Sequence, residues 1–327
     1  MDLYIDIENI NSFISNHSHE LYADCLKTMQ KQLNVYFNFK KEDIAKDDIL
    51  MAWFKYFTSG VGVKNKQLFN EEKFPLRPLK SNTYNGFDKQ QLSSIYLLND
   101  ERIGLLKEKG AVLVGSPGEE FDVFNQVFFF QGDYKFEKKF KIGSPHFNKW
   151  NDLATYSSCV SDILFIDSYI LSDSAMIDVN FIPFLKTLVA KSKCKINLVL
   201  FVNNDLVNVV YSDLSLKVRA AIDSVTGIKP NFTLIKVRDQ RGVPSYAEHD
   251  RTVFTNYIRV YSGDTFNYFK SDGSKLTKGR EIHYSSFGDS ENHNLSLELV
   301  NDIQKKLDEL PADIAEGDKK SNFLNFK

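Results

Sequence analysis

Ile163-Leu164-Phe165-Ile166 is a run of four apolar residues without polar alternation, closed by Asp167. A half-buried strand alternates polar and apolar side chains, so an unbroken run this short marks a strand covered on both faces, as inside parallel sheets. Outward toward the carboxyl terminus the pattern repeats. Residues 184–191 have helical spacing, 196–201 form a second apolar strand, 214–224 a second helix and 232–237 a third strand. Strand alternating with helix is what parallel pairing demands, because the chain must cross back over the sheet before the next strand begins. A strand over 252–261, another over 281–286 and a helix whose stripe is Leu299, Ile303, Leu307 and Leu310 complete this half, and Pro311 closes it. Residues 312–327 are polar and read as a frayed tail, with Phe323-Leu324-Asn325-Phe326 as a docking peptide inside it.

Outward toward the amino terminus, Gly143-Ser144-Pro145 breaks the pattern and sets a domain boundary. The expected organisation is a separate α/β or α+β domain over 1–143, a three-layer α/β domain over 144–311 and the tail over 312–327. In the first domain, Leu3 to Ile7 alternates as a strand and 10–33 follows as a helix. A second strand over 35–39 precedes a second helix over 42–57, ended by Ser59-Gly60-Val61-Gly62. Residues 64–88 read as a long loop around Phe74-Pro75-Leu76-Arg77-Pro78. Helix is then expected over 90–107, strand over 111–114 and a hairpin joining 127–130 to 134–142 across Gln131-Gly132-Asp133.

Composition narrows the function classes. Lys and Arg number 41 against 43 Asp and Glu, a net charge of -2, so any binding of nucleic acid or an anionic membrane must use a local patch. Cys25, Cys159 and Cys194 are odd in number and form no C-x-x-C pair, which argues against a disulfide framework or a structural zinc site and for a reducing cytosol. The start Met1-Asp2-Leu3-Tyr4-Ile5-Asp6 lacks the features of a signal peptide, and no apolar run reaches the ~18 residues of a membrane span. A cytoplasmic protein without a transmembrane segment is expected.

The segment that stands apart is Glu248-His249-Asp250-Arg251-Thr252-Val253-Phe254-Thr255-Asn256, running on to Gly263. Its spacing resembles the phospholipase D superfamily signature, H-x-K-x-x-x-x-D followed after six residues by glycine. His249 takes the histidine position, Arg251 the lysine position, Asn256 the aspartate position and Gly263 the glycine position. The wider pattern is similar to the phospholipase-D-like domain at the carboxyl terminus of some MIT-domain proteins and their bacterial relatives, which carry a similar His-Asp-Arg core. Asp167-Ser168-Tyr169 at a strand end, Val202-Asn203-Asn204 at another and Phe266-Asn267-Tyr268-Phe269 after the glycine extend the likeness over roughly 144–310.

The resemblance implies a metal-independent phosphodiester site with no cofactor. His249 would attack phosphorus, Arg251 would clamp the non-bridging oxygens bidentately and Asn256 would complete the catalytic set. Glu248, Asp250, Thr255, Gly263, Asp167 and Arg241 would bind phosphate or support the pocket, with Arg238, Arg259 and Lys270 as a positive rim. The family pairs two motifs in one site and this chain shows one, so turnover implies a homodimer with two His249 facing each other. Asn256 departs from the pattern, because an amide cannot stabilise an imidazolium as a carboxylate does. Nucleic acid is favoured over lipid as substrate, and the company of such stand-alone half-sites in bacteria suggests antiviral defence.

Two other readings stand beside this one. The chain is alternatively a non-catalytic binding or scaffold subunit of a larger complex, with a phosphate pocket that has lost turnover. Tyr4-Ile5-Asp6-Ile7-Glu8-Asn9 resembles the first strand of NYN/PIN-type ribonucleases, where strand-end carboxylates hold a divalent metal. Asp88, Asp100, Glu119, Glu120 and Asp122 are the further acids available, though none falls at a second clear strand end in the sequence. His17 and His19 read as a polar helix approach, and Gly60-Val61-Gly62-Val63-Lys64 as a turn that lacks P-loop spacing. The interleaved bases and aromatics of Lys135-Phe136-Glu137-Lys138-Lys139-Phe140-Lys141 read first as a solvated hairpin face and second as a nucleic-acid grip.

Overall fold

The computed structural model describes residues 1–37, 41–59, 67–68, 94–99, 103–104, 106, 112–128, 136–237, 251–276 and 280–327. The chain is α/β and divides into two compact units, one of 1–136 with 287–293, the other of 137–286 with 294–327.

In the first unit, strands β1 (Asp2–Ile5), β2 (Asn34–Phe37), β3 (Gln67–Leu68), β4 (Ile95–Leu97) and β5 (Leu113–Gly115) form a parallel sheet in the order β3-β2-β1-β4-β5. Leu3 and Ile5 are fully buried, and Tyr4 stacks on Tyr36 at 4.8 Å and on Tyr96 at 5.0 Å, a ring ladder that fixes the register of the three middle strands. Helix α1 (Ile7–Ser15) starts at Asp6, whose carboxylate accepts the Asn9 N–H. Helix α2 (Glu20–Lys31) follows, so the expected single helix over 10–33 is two, divided by the turn at 16–19. The short α3 (Lys41–Ile44) and α4 (Asp48–Thr58) likewise split the second expected helix, with Asp47 capping α4 through the Ile49 and Leu50 amides. Two further expectations change. Residues 95–97 are strand, not helix, because pairing with β1 and β5 buries all three side chains; 120–127 is helix α5 (Glu120–Val127), so Val127 is helical, and residues 129–135 of the expected hairpin lie outside the described residues.

The second unit is built on a mixed sheet. In chain order its strands are β6 (Glu137–Lys141), β7 (Asp162–Ile166), β8 (Asn197–Asn203), β9 (Asn231–Val237), β10 (Arg251–Thr255), β11 (Ile258–Ser262), β12 (Glu281–Ser286) and β13 (Ala315–Gly317). Across the sheet they run β13-β9-β8-β7-β10-β11-β12-β6. β7, β8 and β9 are mutually parallel, and every other pairing is antiparallel. The three strands read from sequence at 163–166, 196–201 and 232–237 are these parallel strands, joined through α6 (Ile182–Leu188) and α7 (Tyr211–Thr226). Gly227 at φ 73° ends α7 in the left-handed conformation that suits glycine. In α8 (Ser290–Glu309) the buried stripe is Val300, Ile303 and Leu307.

Three boundaries move. The expected strand over 252–261 is a hairpin, β10 turning at Asn256-Tyr257 into β11. Residues 137–143 belong to the second unit, because β6 pairs with β12. The segment after Pro311 is docked rather than frayed: β13 extends the sheet beside β9, Asn322 donates its backbone N–H (2.8 Å) and its Nδ2 (2.5 Å) to Asp162, and Phe323 and Leu324 are each 2% exposed.

Candidate functional site

Glu248, His249, Asp250, Arg238 and Arg241 lie outside the described residues. Arg251 opens β10. It pairs with Ser262 of β11, and since Thr252 pairs with Ile166, one more antiparallel step sets Arg251 opposite Asp167 at the end of β7. Its guanidinium lies 5.1 Å from the centre of the Tyr169 ring, a cation–π contact, and the residue is 8% exposed. Gly263 comes directly after Ser262, at the same end of the hairpin. A methyl there would meet nothing within 4 Å and its φ is not positive, so this glycine leaves open space rather than satisfying a strained turn. Arg251, Asp167, Tyr169 and Gly263 thus converge where the parallel strands β7 and β8 finish, the edge at which α/β sheets characteristically hold ligands.

Asp167 is fully buried. Its Oδ1 accepts the Tyr169 N–H at 2.9 Å, and its Oδ2 accepts the Thr265 hydroxyl and the Phe266 N–H, each at 2.8 Å. Burial pushes its carboxyl up to about 6, with the Phe266, Tyr169 and Thr265 donors and the Arg251 charge pulling the other way. This folded value lies above the 3.8 of an ordinary aspartate, so the native state holds the extra proton between the two. The stability this group contributes is therefore fully present below about pH 4 and is lost as pH rises through about 6, by about 3 kcal/mol. Urea titrations between pH 4 and 7 should show Asp167→Asn weakening this loss. A variant that keeps the full wild-type slope would remove Asp167 as its source.

Thr255 and Asn256 belong elsewhere, which corrects the expectation that they share the pocket. Asn256 lies five positions along the extended chain from Arg251, about 16 Å. Asn256 is completely buried; its Oδ1 accepts the N–H groups of Ser161 (2.6 Å) and Asp162 (3.0 Å), and its Nδ2 donates to the Ser161 hydroxyl. The Thr255 hydroxyl donates to the Ile258 carbonyl and accepts the Ile258 N–H, both at 3.1 Å. Both residues build the β10–β11 turn. The expected rim also divides: Arg259 pairs with Phe254, and so lies on the opposite face of the sheet from Arg251, while Lys270 is exposed in a turn.

Asn180 was not singled out from sequence. Fully buried, it accepts the Tyr268 and Phe269 amides at 2.8 and 2.9 Å and donates to the Phe269 carbonyl at 2.7 Å, fixing the segment that delivers Phe266 to Asp167. An amide inside the apolar run Ile177-Asp178-Val179-Asn180-Phe181 was its only trace.

In the first unit, Asp6 follows β1 at the place where the strand order reverses between β1 and β4. Its carboxylate accepts Asn9 Nδ2 at 2.9 Å and the Asn99 N–H at 3.0 Å, the latter from just beyond β4, and burial raises its pKa. Glu120, beyond β5, is also fully buried and accepts the Gly118 N–H at 2.5 Å and the Ser12 hydroxyl. Asp6 and Glu120 therefore both stand beyond strands of one parallel sheet. Asp88 and Asp100 lie outside the described residues, and among those described no three His, Cys, Asp or Glu side chains come together as a metal site. His17 bonds the Ile14 carbonyl through Nδ1 at 2.6 Å. No described helix is long and apolar enough to cross a membrane.

No protein-family model matches the chain, and no curated protein matches it.

Proposed function

We propose that the second unit binds a phosphodiester, nucleic acid before lipid, at the edge formed by Arg251, Tyr169 and Gly263, and that two copies of the chain hydrolyse it when their His249 side chains meet. The observation that carries this reading is Arg251 itself. A guanidinium seated on an aromatic ring, with a carboxylate across the ladder, is held ready to meet two phosphate oxygens at a sheet edge. His249, two positions before Arg251 in the sequence and outside the described residues, enters the reading through its spacing alone. Asp167 supports the arrangement indirectly, since the donors of Tyr169, Thr265 and Phe266 engage both of its oxygens.

The full chain incubated with single- and double-stranded DNA and RNA in EDTA is expected to cleave. His249→Ala should abolish the cleavage, and Arg251→Ala should lower it by about 10²- to 10³-fold, the usual effect of removing one group that stabilises transition-state charge. Substrates bound but left intact would reduce the reading to a binding subunit.

A second reading has its own observation: Asp6 at the reversal point of an all-parallel sheet, with Glu120 beyond another strand of that sheet. This is the setting of an NYN/PIN-like nuclease, whose cleavage would require a divalent ion and vanish with Asp6→Asn. The donor set among the described residues does not complete a metal site, and no catalytic step is derived through one. Activity that survives EDTA would remove this alternative.

A further inference from the structure

Cys159 and Cys194 belong to no C-x-x-C motif, yet the sheet of the second unit aligns them. Asp162 of β7 pairs with Asn197 of β8; three residues before Asp162 stands Cys159, and three before Asn197 stands Cys194. The two incoming segments stay bonded to each other ahead of the strands. Asn197 donates its N–H to the Ser161 carbonyl at 2.7 Å, and Val160 donates its N–H to the Ser192 hydroxyl at 2.9 Å. The thiols join in reciprocally: Cys159 Sγ donates to the Lys191 carbonyl and Cys194 Sγ to the Val160 carbonyl, each at 3.3 Å, so each sulfur lies against the other cysteine's segment. Neighbouring strands run about 4.8 Å apart, inside the roughly 4.4–6.8 Å between Cα atoms that a disulfide spans. Both cysteines are partly exposed, whereas Cys25 is fully buried in the first unit.

We infer that Cys159 and Cys194 form a reversible redox site, a dithiol that a peroxide closes to a disulfide. Lys191 stands beside it: its ammonium donates to the Thr155 carbonyl at 3.1 Å and interacts with the charge of Cys159, which favours a thiolate there. Burial pushes the Cys194 thiol up to about 11, and charge on Cys159 adds to the rise, so Cys159 is the sulfur that attacks first. Its thiolate takes one oxygen of hydrogen peroxide and becomes a sulfenic acid; the O–O bond breaks, and the departing hydroxide takes up the proton that Cys159 released and leaves as water. The Cys194 sulfur then displaces the sulfenic hydroxyl, which departs with the Cys194 proton as a second water. The two thiols lose two electrons and two protons, and the peroxide is reduced to water. The new bond staples the segments that hold Asp162, because the Ser161 hydroxyl and Asn197 Nδ2 both donate to its carboxylate. The site is independent of the phosphodiester reading and stands before the start of β7, the end away from Asp167.

The test treats the full chain with hydrogen peroxide or, in parallel, with a thiol reductant, then unfolds it, alkylates it with iodoacetamide and weighs it by mass spectrometry. All three cysteines should be alkylated in the reduced protein, and Cys25 alone in the oxidised one, with Cys159 and Cys194 recovered as a linked pair in unreduced peptide maps. Dithiothreitol should restore all three. Since a disulfide constrains the unfolded chain, the oxidised protein should melt about 5–10 °C above the reduced one. In Cys194→Ser the reaction should stop at the Cys159 sulfenic acid, captured by dimedone. The wild-type chain alone decides the linkage, so a serine variant that fails to fold leaves the test intact. Three alkylated thiols after peroxide, a disulfide between two chains or through Cys25, a sulfinic acid at one cysteine beside an intact thiol at the other, or an oxidised protein that melts no higher than the reduced one overturns the inference.

Discussion

Asn256→Ala should lower the stability of the second unit by about 4 kcal/mol, because it leaves the buried N–H groups of Ser161 and Asp162 without their acceptor at about 1–3 kcal/mol each. In a unit of this size that is a fall of about 10 °C in melting temperature. Asn256→Asp is the sharper experiment, since aspartate is the residue that the phospholipase D pattern has here. A carboxylate would keep the acceptor for the two amides but lose the donor to Ser161, whose hydroxyl already donates to Asp162 at 2.7 Å. It would also bring a second charge beside Asp162, a carboxyl whose pKa burial already raises. The aspartate variant is therefore expected to melt below wild type and to cleave no faster. Calorimetry together with the EDTA cleavage assay decides it: wild-type melting in the alanine variant, or faster turnover in the aspartate variant, would return Asn256 to the catalytic set.

Gly317→Ala is the other substitution with a large expected effect. Gly317 sits in β13 at φ 112°, where a side chain is strained, and a methyl would run into the Phe232 carbonyl oxygen and the Tyr211 hydroxyl. That oxygen accepts both the Tyr211 hydroxyl and the Asp318 N–H at 3.1 Å, and Asp318 in turn accepts the Phe232 N–H and pairs with Arg219 at 2.6 Å. β13 must lift off, taking these contacts with it. Strain and clash together should cost about 3–5 kcal/mol. Hydrogen exchange is expected to lose protection at Leu234, whose amide faces β13 opposite Glu316, and to keep it at Thr233 and Ile235, whose amides face β8. Protection as in wild type would show that the backbone absorbs the methyl.

The parts of this architecture that could be read from sequence were those in which burial leaves a continuous mark. β7 and β8 are built on unbroken apolar runs, and β9 is interrupted only at Thr233 and Lys236, each bounded by turn signals. β4 was misread because Ile95, Leu97 and Leu98 also suit a helix in a stretch of Leu-rich sequence; pairing on both sides, which no local pattern records, makes it a strand. The β10–β11 turn carries neither glycine nor proline, since the Asn256 and Thr255 side chains supply its hydrogen bonds. The docked segment after Pro311 was hidden for a related reason: its anchors are polar residues whose partners lie as many as 160 positions away. In the candidate site, Arg251 and Gly263, taken from the motif spacing, and Asp167, taken from a strand end, stand at one end of the β7–β10–β11 ladder. The spacing misplaced Thr255 and Asn256, because the geometry of a hairpin can preserve a spacing as firmly as chemistry can.

The attachment of Asn322 to Asp162 bears on how the protein is made. Asp162 lies fully buried at the start of β7, and its carboxylate takes two of its four hydrogen bonds from Asn322. Residues 315–324 leave the ribosome after every other strand and helix of the second unit, so until they emerge β9 has an open edge and Asp162 lacks half its donors. The parallel strands can gather during translation, but their final closure waits on residues 315–324.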